Sequence, residues 1–104
     1  MPMAYFLCTL VHGPAWDDGR GIREQDGWEQ HAAFMDQLVA EGFVVVGGPV
    51  GSGHFTAHLV EADGQAQVRS RLAGDPWALD GHLRVGSLQS WTLWLDGRRT
   101  AAGR

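Results

Sequence analysis

Four segments of the chain have the hydrophobic pattern of β-strands. Residues 4–12, AYFLCTLVH, are apolar in both alternating sets of positions, which predicts a buried strand. The β-branched run at 43–48 and the alternating stretch at 54–62 predict a second and a third strand, joined as a hairpin by a glycine-rich turn. The last strand is predicted within residues 83–95, where the alternation is imperfect.

Two other segments repeat their apolar residues at helical spacing. Residues 28–41 place apolar residues on one side of a helix and Glu, Gln and Asp on the other, and Asp26 is expected to cap its N-terminus. Residues 63–74 predict a second helix, and the following DPWALDGH is expected to form a turn. The resulting order, β-α-β-β-α-β, predicts an α+β domain of the ferredoxin-like class.

A ferredoxin-like sheet carries helices on one face only, and the strands predicted here are apolar on both faces. An apolar face that no helix covers indicates a partner, and a second copy of the chain is the simplest one. The 104 residues fit a single domain, which we assign to residues 1–96. Residues 97–104 are expected to be a flexible tail, and the glycine-rich stretch 13–27 a long loop.

Composition narrows the range of partners and the cellular location. All eight basic residues are Arg, and residues 1–96 hold five of them against twelve Asp and Glu, so binding to nucleic acid is not expected. The single cysteine, Cys8, excludes an intrachain disulfide and favours a reducing cytoplasm; its apolar surroundings predict a buried, unreactive thiol. We expect neither a membrane span nor a signal peptide, and we predict a cytoplasmic protein.

The first predicted helix contains one titratable ring on its apolar side. His31 lies there beside Phe34, Met35 and Leu38. A buried imidazole needs hydrogen-bond partners, because an unpartnered polar group loses its hydration without compensation. Two interpretations stay open: His31 is a hydrogen-bonded core residue, or it is a general acid or base that a carboxylate orients.

Three short motifs, in order along the chain, carry a resemblance to a known family. They are WEQHAAF in the first helix, GGPV after the second strand, and DPWALDG after the second helix. Across about residues 3–95 the chain resembles the YCII-related (YciI-like) proteins of the dimeric α+β barrel group. The resemblance implies that two ferredoxin-like sheets pack face to face as a homodimer, with a small pocket between sheet and helices in each subunit.

The resemblance also implies a catalytic dyad of His31 and Asp75. One branch of the family resembles dehydrochlorinases that act on hydroxylated aromatics. We therefore expect a small cofactorless enzyme that transfers a proton during elimination, isomerisation or dehydrochlorination of a small, aromatic or enolisable molecule. Asp75 has a second interpretation, since Asp before Pro is ordinary turn chemistry. The residues expected to bind substrate are Tyr5, Phe34, Gly48, Pro49 and Trp77.

The sequence also offers other candidate sites and functions. No metal site is expected, because His54 and His58 would stand ~13 Å apart along a strand. Arg20 or Arg23 would either clamp an anionic ligand or remain solvated. The alternative functions are a small-molecule-binding dimer without catalysis, haem binding with His31 as axial ligand, and a structural dimer in which His31 fills the core.

Overall fold

The computed structural model describes residues 3–98, which form an α+β domain, as the hydrophobic pattern predicts. The elements in chain order are β1 (Ala4–His12), a 3-10 helix (Ile22–Glu24), α1 (Trp28–Ala40), β2 (Val44–Val50), β3 (Phe55–Ala62), α2 (Gln65–Leu72), α3 (Pro76–Leu79) and β4 (Leu83–Ser90). Of the predicted tail, residues 99–104 lie outside the described part of the chain.

The strands form one four-stranded sheet in the order β2-β3-β1-β4, in which each neighbouring pair is antiparallel. β3 therefore lies between β1 and β2, the two strands that α1 connects. At the centre of the sheet, Cys8 of β1 pairs with His58 of β3 on one side and with Leu88 of β4 on the other. A register shift after Thr9 interrupts the β1–β4 ladder.

The core forms between one face of the sheet and the helices. Successive strand residues point to opposite faces, so Phe6, Cys8 and Leu10 share one face of β1, and all three are buried. They belong to one apolar cluster with Leu38 of α1 and Val68 of α2. Each large apolar side chain buried in this way contributes about 1.5–3 kcal/mol.

In the described part of the chain, no helix lies over the opposite face of the sheet. The alternate residues of β1 lie on this face, among them Tyr5 and Leu7. Val46 and Val50 of β2 have exposed fractions of 59% and 43%. Arg98 stands over the Tyr5 ring, with its guanidinium carbon 5.5 Å from the ring centroid.

Three local predictions need correction. The predicted turn after α2 contains α3, because Asp75 caps it by accepting the Trp77 backbone N–H and Pro76 suits the first helical position. Asp26 does not cap α1: the N-cap is Gly27, at φ 80°, and no side chain bonds there. β4 ends at Ser90, well before the predicted limit of the last strand.

Among residues 3–98, no helix is both long enough and apolar enough to cross a membrane.

Candidate functional site

The structure brings His31 and Asp75 together, although 44 residues separate them in sequence. His31 lies in the first turn of α1, and Asp75 is the N-cap of α3. The His31 Nδ1 atom is 2.8 Å from Asp75 Oδ2 and 3.0 Å from Oδ1. Both residues are buried, with exposed fractions of 7% and 2%.

The caps and turns around this pair fix the carboxylate. Asp75 Oδ1 also accepts the backbone N–H of Trp77 at 2.9 Å, so the helix cap and the histidine share one side chain. An ionised carboxylate only accepts hydrogen bonds, and the contact therefore requires the proton on His31 Nδ1. The Nε2 atom of His31 is then the nitrogen that carries the free lone pair.

Trp77 packs against one face of the His31 ring. The two rings stack with centroids 4.1 Å apart and an interplanar angle of 9°. Trp77 is fully buried, and its Nε1 donates to the Asp26 carbonyl oxygen at 2.8 Å. Two features favour glycine at position 27: its φ is positive, and a Cβ atom there would lie only 3.2 Å from the Trp77 Nε1 atom.

A cavity of about 520 Å³ opens beside the dyad. It is bounded by α1, by the loop that precedes α1 and by the helix-facing side of the sheet, and His31 forms part of its wall. Its size matches the pockets that hold small organic ligands. Most of its other walls are aromatic or aliphatic, including Trp16, Trp28, Met35, Val44 and Leu83.

The residues predicted to bind substrate divide into two groups. Gly48 and Pro49 line the cavity. Tyr5, Phe34 and Trp77 do not. Tyr5 lies on the opposite face of the sheet, since its neighbour Phe6 is buried in the core. Phe34 packs near Gly74, where an added Cβ atom would lie 3.5 Å from the Phe34 ring. Trp77 is fully buried behind the His31 ring.

Two histidines that were not predicted as site residues also line the cavity, His12 and His58. His12, at the end of β1, stacks on Trp16 with ring centroids 3.8 Å apart. Burial lowers the pKa of both histidines below its ordinary value. The strand alternation contained a signal for His58, because it shares its set of alternating positions with Val60 and Ala62 of the core.

The loop before α1 brings Arg20 to the cavity. The guanidinium is bonded to Asp17 at 3.0 Å and to Asp26 at 3.3 Å, so neighbouring carboxylates already balance its charge. Gln25 is 3% exposed and holds the loop through its side-chain amide, which donates to the carbonyl oxygens of Asp17 and Arg20. Arg23 lies instead over the Trp28 ring.

Comparison with protein-family models, with curated proteins and with solved structures finds no match to this chain. Within residues 3–98, no group of three or more His, Cys, Asp or Glu side chains is arranged to hold a metal ion. The dyad and the cavity beside it are therefore the features of the chain that bear on its function.

Proposed function

We propose that this protein is a small enzyme that transfers a proton, with His31 as general base or acid and Asp75 as the residue that orients it. The observation that carries the proposal is the buried bond between His31 Nδ1 and Asp75 Oδ2, 2.8 Å long, at the wall of a 520 Å³ cavity. Histidine is the side chain that most often moves protons in enzymes, and a carboxylate on one ring nitrogen leaves the other free to react.

The proposed chemistry is elimination or isomerisation. His31 Nε2 takes a proton from a ligand carbon, and the electron pair of that C–H bond forms a new π bond in the ligand. In elimination this breaks the bond to a leaving group, which departs with its electron pair; in isomerisation the protonated His31 returns the proton to another atom of the ligand. Asp75 stabilises the positive charge that develops on the ring, as a buried carboxylate does behind a catalytic histidine. The aromatic and aliphatic walls favour a small, largely apolar substrate, which agrees with the aromatic or enolisable molecules that the family resemblance implies.

The proposal extends to the family of the protein and to its oligomeric state. We infer a YciI-like protein of ferredoxin-like topology, located in the cytoplasm, that pairs as a homodimer. The strand order β2-β3-β1-β4 and the exposed Val46 and Val50 on the uncovered sheet face support this inference. Sedimentation equilibrium tests the dimer, and a monomer at all accessible concentrations would contradict it.

A probe that needs only a base tests the proposed activity. In 5-nitrobenzisoxazole, a base removes the proton on ring carbon 3, the N–O bond breaks, and a coloured cyanonitrophenolate forms. We expect the protein to accelerate this reaction beyond an equal concentration of free imidazole, and His31→Gln to lower the rate by about 10²-fold, the lower end of what general base catalysis contributes.

His54→Gln is the matched control, because His54 is exposed and lies outside the cavity wall. Its rate should equal that of the wild type. A rate that survives His31→Gln contradicts the proposal. Binding of the probe without turnover would favour the alternative of a non-catalytic binding protein.

A further inference from the structure

Trp77 lies behind the cavity wall and not in it. Its side chain is fully buried, although tryptophan is seldom buried completely. The indole nevertheless contacts three residues of the wall: its ring centroid lies 4.1 Å from that of His31, 5.6 Å from that of Trp16 and 5.9 Å from that of Trp28. Trp77 is therefore placed to hold the wall in position from behind.

Trp77 contacts both members of the dyad. Its backbone N–H donates to Asp75 Oδ1 at 2.9 Å, and its indole stacks on the His31 imidazole with an angle of 9° between the two planes. The bond between His31 Nδ1 and the carboxylate holds one atom of the ring, but it does not by itself fix the tilt of the ring plane. The stacked indole does, because rotation about the His31 Cβ–Cγ bond would drive the imidazole into a closely packed side chain.

The indole is itself held in place. Its Nε1 donates to the Asp26 carbonyl oxygen at 2.8 Å, in the loop that precedes α1. A Cβ atom at Gly27 would approach two atoms of this indole, Nε1 at 3.2 Å and Cδ1 at 3.6 Å. The indole of Trp77 is thus anchored at its edge by a hydrogen bond and by close packing, and it presents one face to His31.

The indole face also suits the charge that His31 acquires in the proposed reaction. When His31 takes a proton from the ligand, its ring becomes a cation 4.1 Å from the centroid of the indole. A cation within about 6 Å of an aromatic ring is attracted to the ring face, and tryptophan attracts it best. Trp77 therefore stabilises the charged ring at its face, while Asp75 does so at its edge.

We propose that Trp77 is a positioning residue of the site, whose buried indole fixes the plane of the His31 imidazole, and with it the direction of Nε2, and stabilises the ring while it carries the proton. This inference depends on the proposed function and adds to it a residue outside the cavity wall. Misplacing a catalytic group by about 1 Å can cost about 10²-fold in rate, so loss of the indole should act on kcat.

Two variants at position 77 test this role, with 5-nitrobenzisoxazole as the probe. Trp77→Phe keeps a flat ring against which His31 can stack, and Trp77→Leu keeps only an apolar side chain. We expect kcat per folded molecule to fall by about 10²-fold in Trp77→Leu and by clearly less in Trp77→Phe. KM should change little, because Trp77 does not line the cavity. Equal kcat in the wild type and Trp77→Leu overturns the role of Trp77.

A matched pair of glycine variants tests the same role without removing the buried indole. Gly27 and Gly42 lie at the two ends of α1 with nearly equal positive φ values, 80° and 79°, so alanine is strained to a similar degree at both. The added Cβ presses on the Trp77 indole at Gly27, whereas at Gly42 it meets nothing within 4 Å. Gly27→Ala should lower kcat by about 10-fold, and Gly42→Ala should match the wild type. Equal kcat in the two variants overturns the proposal.

Nitrogen-15 NMR of histidine-labelled protein provides a readout that a merely structural role would not move. Neutral His31 should be protonated on Nδ1 in the wild type and in Trp77→Phe. In Trp77→Leu both ring nitrogens should shift toward the values of mixed tautomers, because the ring is no longer held in one plane against Asp75. An unchanged tautomer in Trp77→Leu overturns the role of Trp77, while the loss of rate in His31→Gln leaves the proposed function intact. Absence of turnover in the wild type overturns both.

Discussion

Removing either partner of the His31–Asp75 pair should destabilise the fold, and the two losses should not add. Asp75→Asn keeps an oxygen to cap α3 through the Trp77 N–H, but it presents an amide donor to a ring nitrogen that is itself a donor. His31→Leu leaves the Asp75 carboxylate buried without its ring partner. Hydrogen bonds to charged groups contribute about 1.5–3 kcal/mol, and at 3–9% side-chain exposure water weakens this one little.

A double-mutant cycle measures this coupling. The free energies of unfolding in urea are determined for the wild type, His31→Leu, Asp75→Asn and the double variant. We expect an interaction energy of about 1.5–3 kcal/mol, with the double variant destabilised by clearly less than the sum of the two single variants. Additivity within about 0.5 kcal/mol would refute the strong coupling.

The chain contains a matched control for this cycle. His82 Nδ1 lies 2.8 Å from Asp80 Oδ1, the same distance as in the dyad, but the Asp80 side chain is 45% exposed. An exposed ion pair contributes only about 0–1 kcal/mol. Asp80→Asn should therefore change the unfolding free energy by less than about 1 kcal/mol, and a loss as large as that of Asp75→Asn would mean that burial is not what strengthens the dyad.

Trp77→Phe keeps a buried aromatic ring but removes the N–H that bonds Asp26 together with part of the buried volume, and we expect at least about 1–3 kcal/mol of destabilisation in a urea titration; an unchanged midpoint would contradict this. Burial lowers the pKa of His58 in the folded protein. Just below the ordinary His pKa of about 6.5, the unfolded chain therefore binds more protons than the folded chain, and the free energy of unfolding should fall as the pH drops through that range. His58→Gln should make this fall shallower, whereas the control His54→Gln should leave it unchanged. Equal slopes of unfolding free energy against pH in the wild type and both variants would be inconsistent with a buried neutral His58. Burial raises the pKa of the Cys8 thiol, and a disulfide reagent should therefore label Cys8 only as fast as the protein unfolds; rapid labelling of the native protein would show that the thiol is accessible.

The sequence pattern predicted the strands and the main helices because their apolar periods are long enough to distinguish helix from strand. β1 spans Ala4–His12, the range its apolar run predicts, and α1 differs from its prediction only in its last residue. The pattern could not predict α3, because four residues after an Asp-Pro cannot be told from a turn by period. It also could not show which alternating set of β1 faces the helices, since both are apolar; in the structure Tyr5 belongs to the set that faces away from them.

The candidate site was predictable only in part. No local pattern joins His31 to Asp75, and the resemblance to the YciI-like family was the sole reason to pair them. The sequence spacing relates His58 only to His54, as a metal pair; in the structure His54 is exposed and, of these two, His58 alone lines the cavity. The His58 ring packs against Gly47, a contact that arises from how two strands pair and is absent from the sequence period.

The most direct test of the proposed site is the tautomer of His31, measured by nitrogen-15 NMR on histidine-labelled protein, with His31→Gln used to assign the signals. The structure predicts that the neutral ring of His31 is protonated on Nδ1, bonded to Asp75, and unprotonated on Nε2 beside the cavity. A proton on Nε2 in the wild-type protein would contradict a general base at this position. Nδ1 protonation in the wild type that is lost in Asp75→Asn would support the dyad.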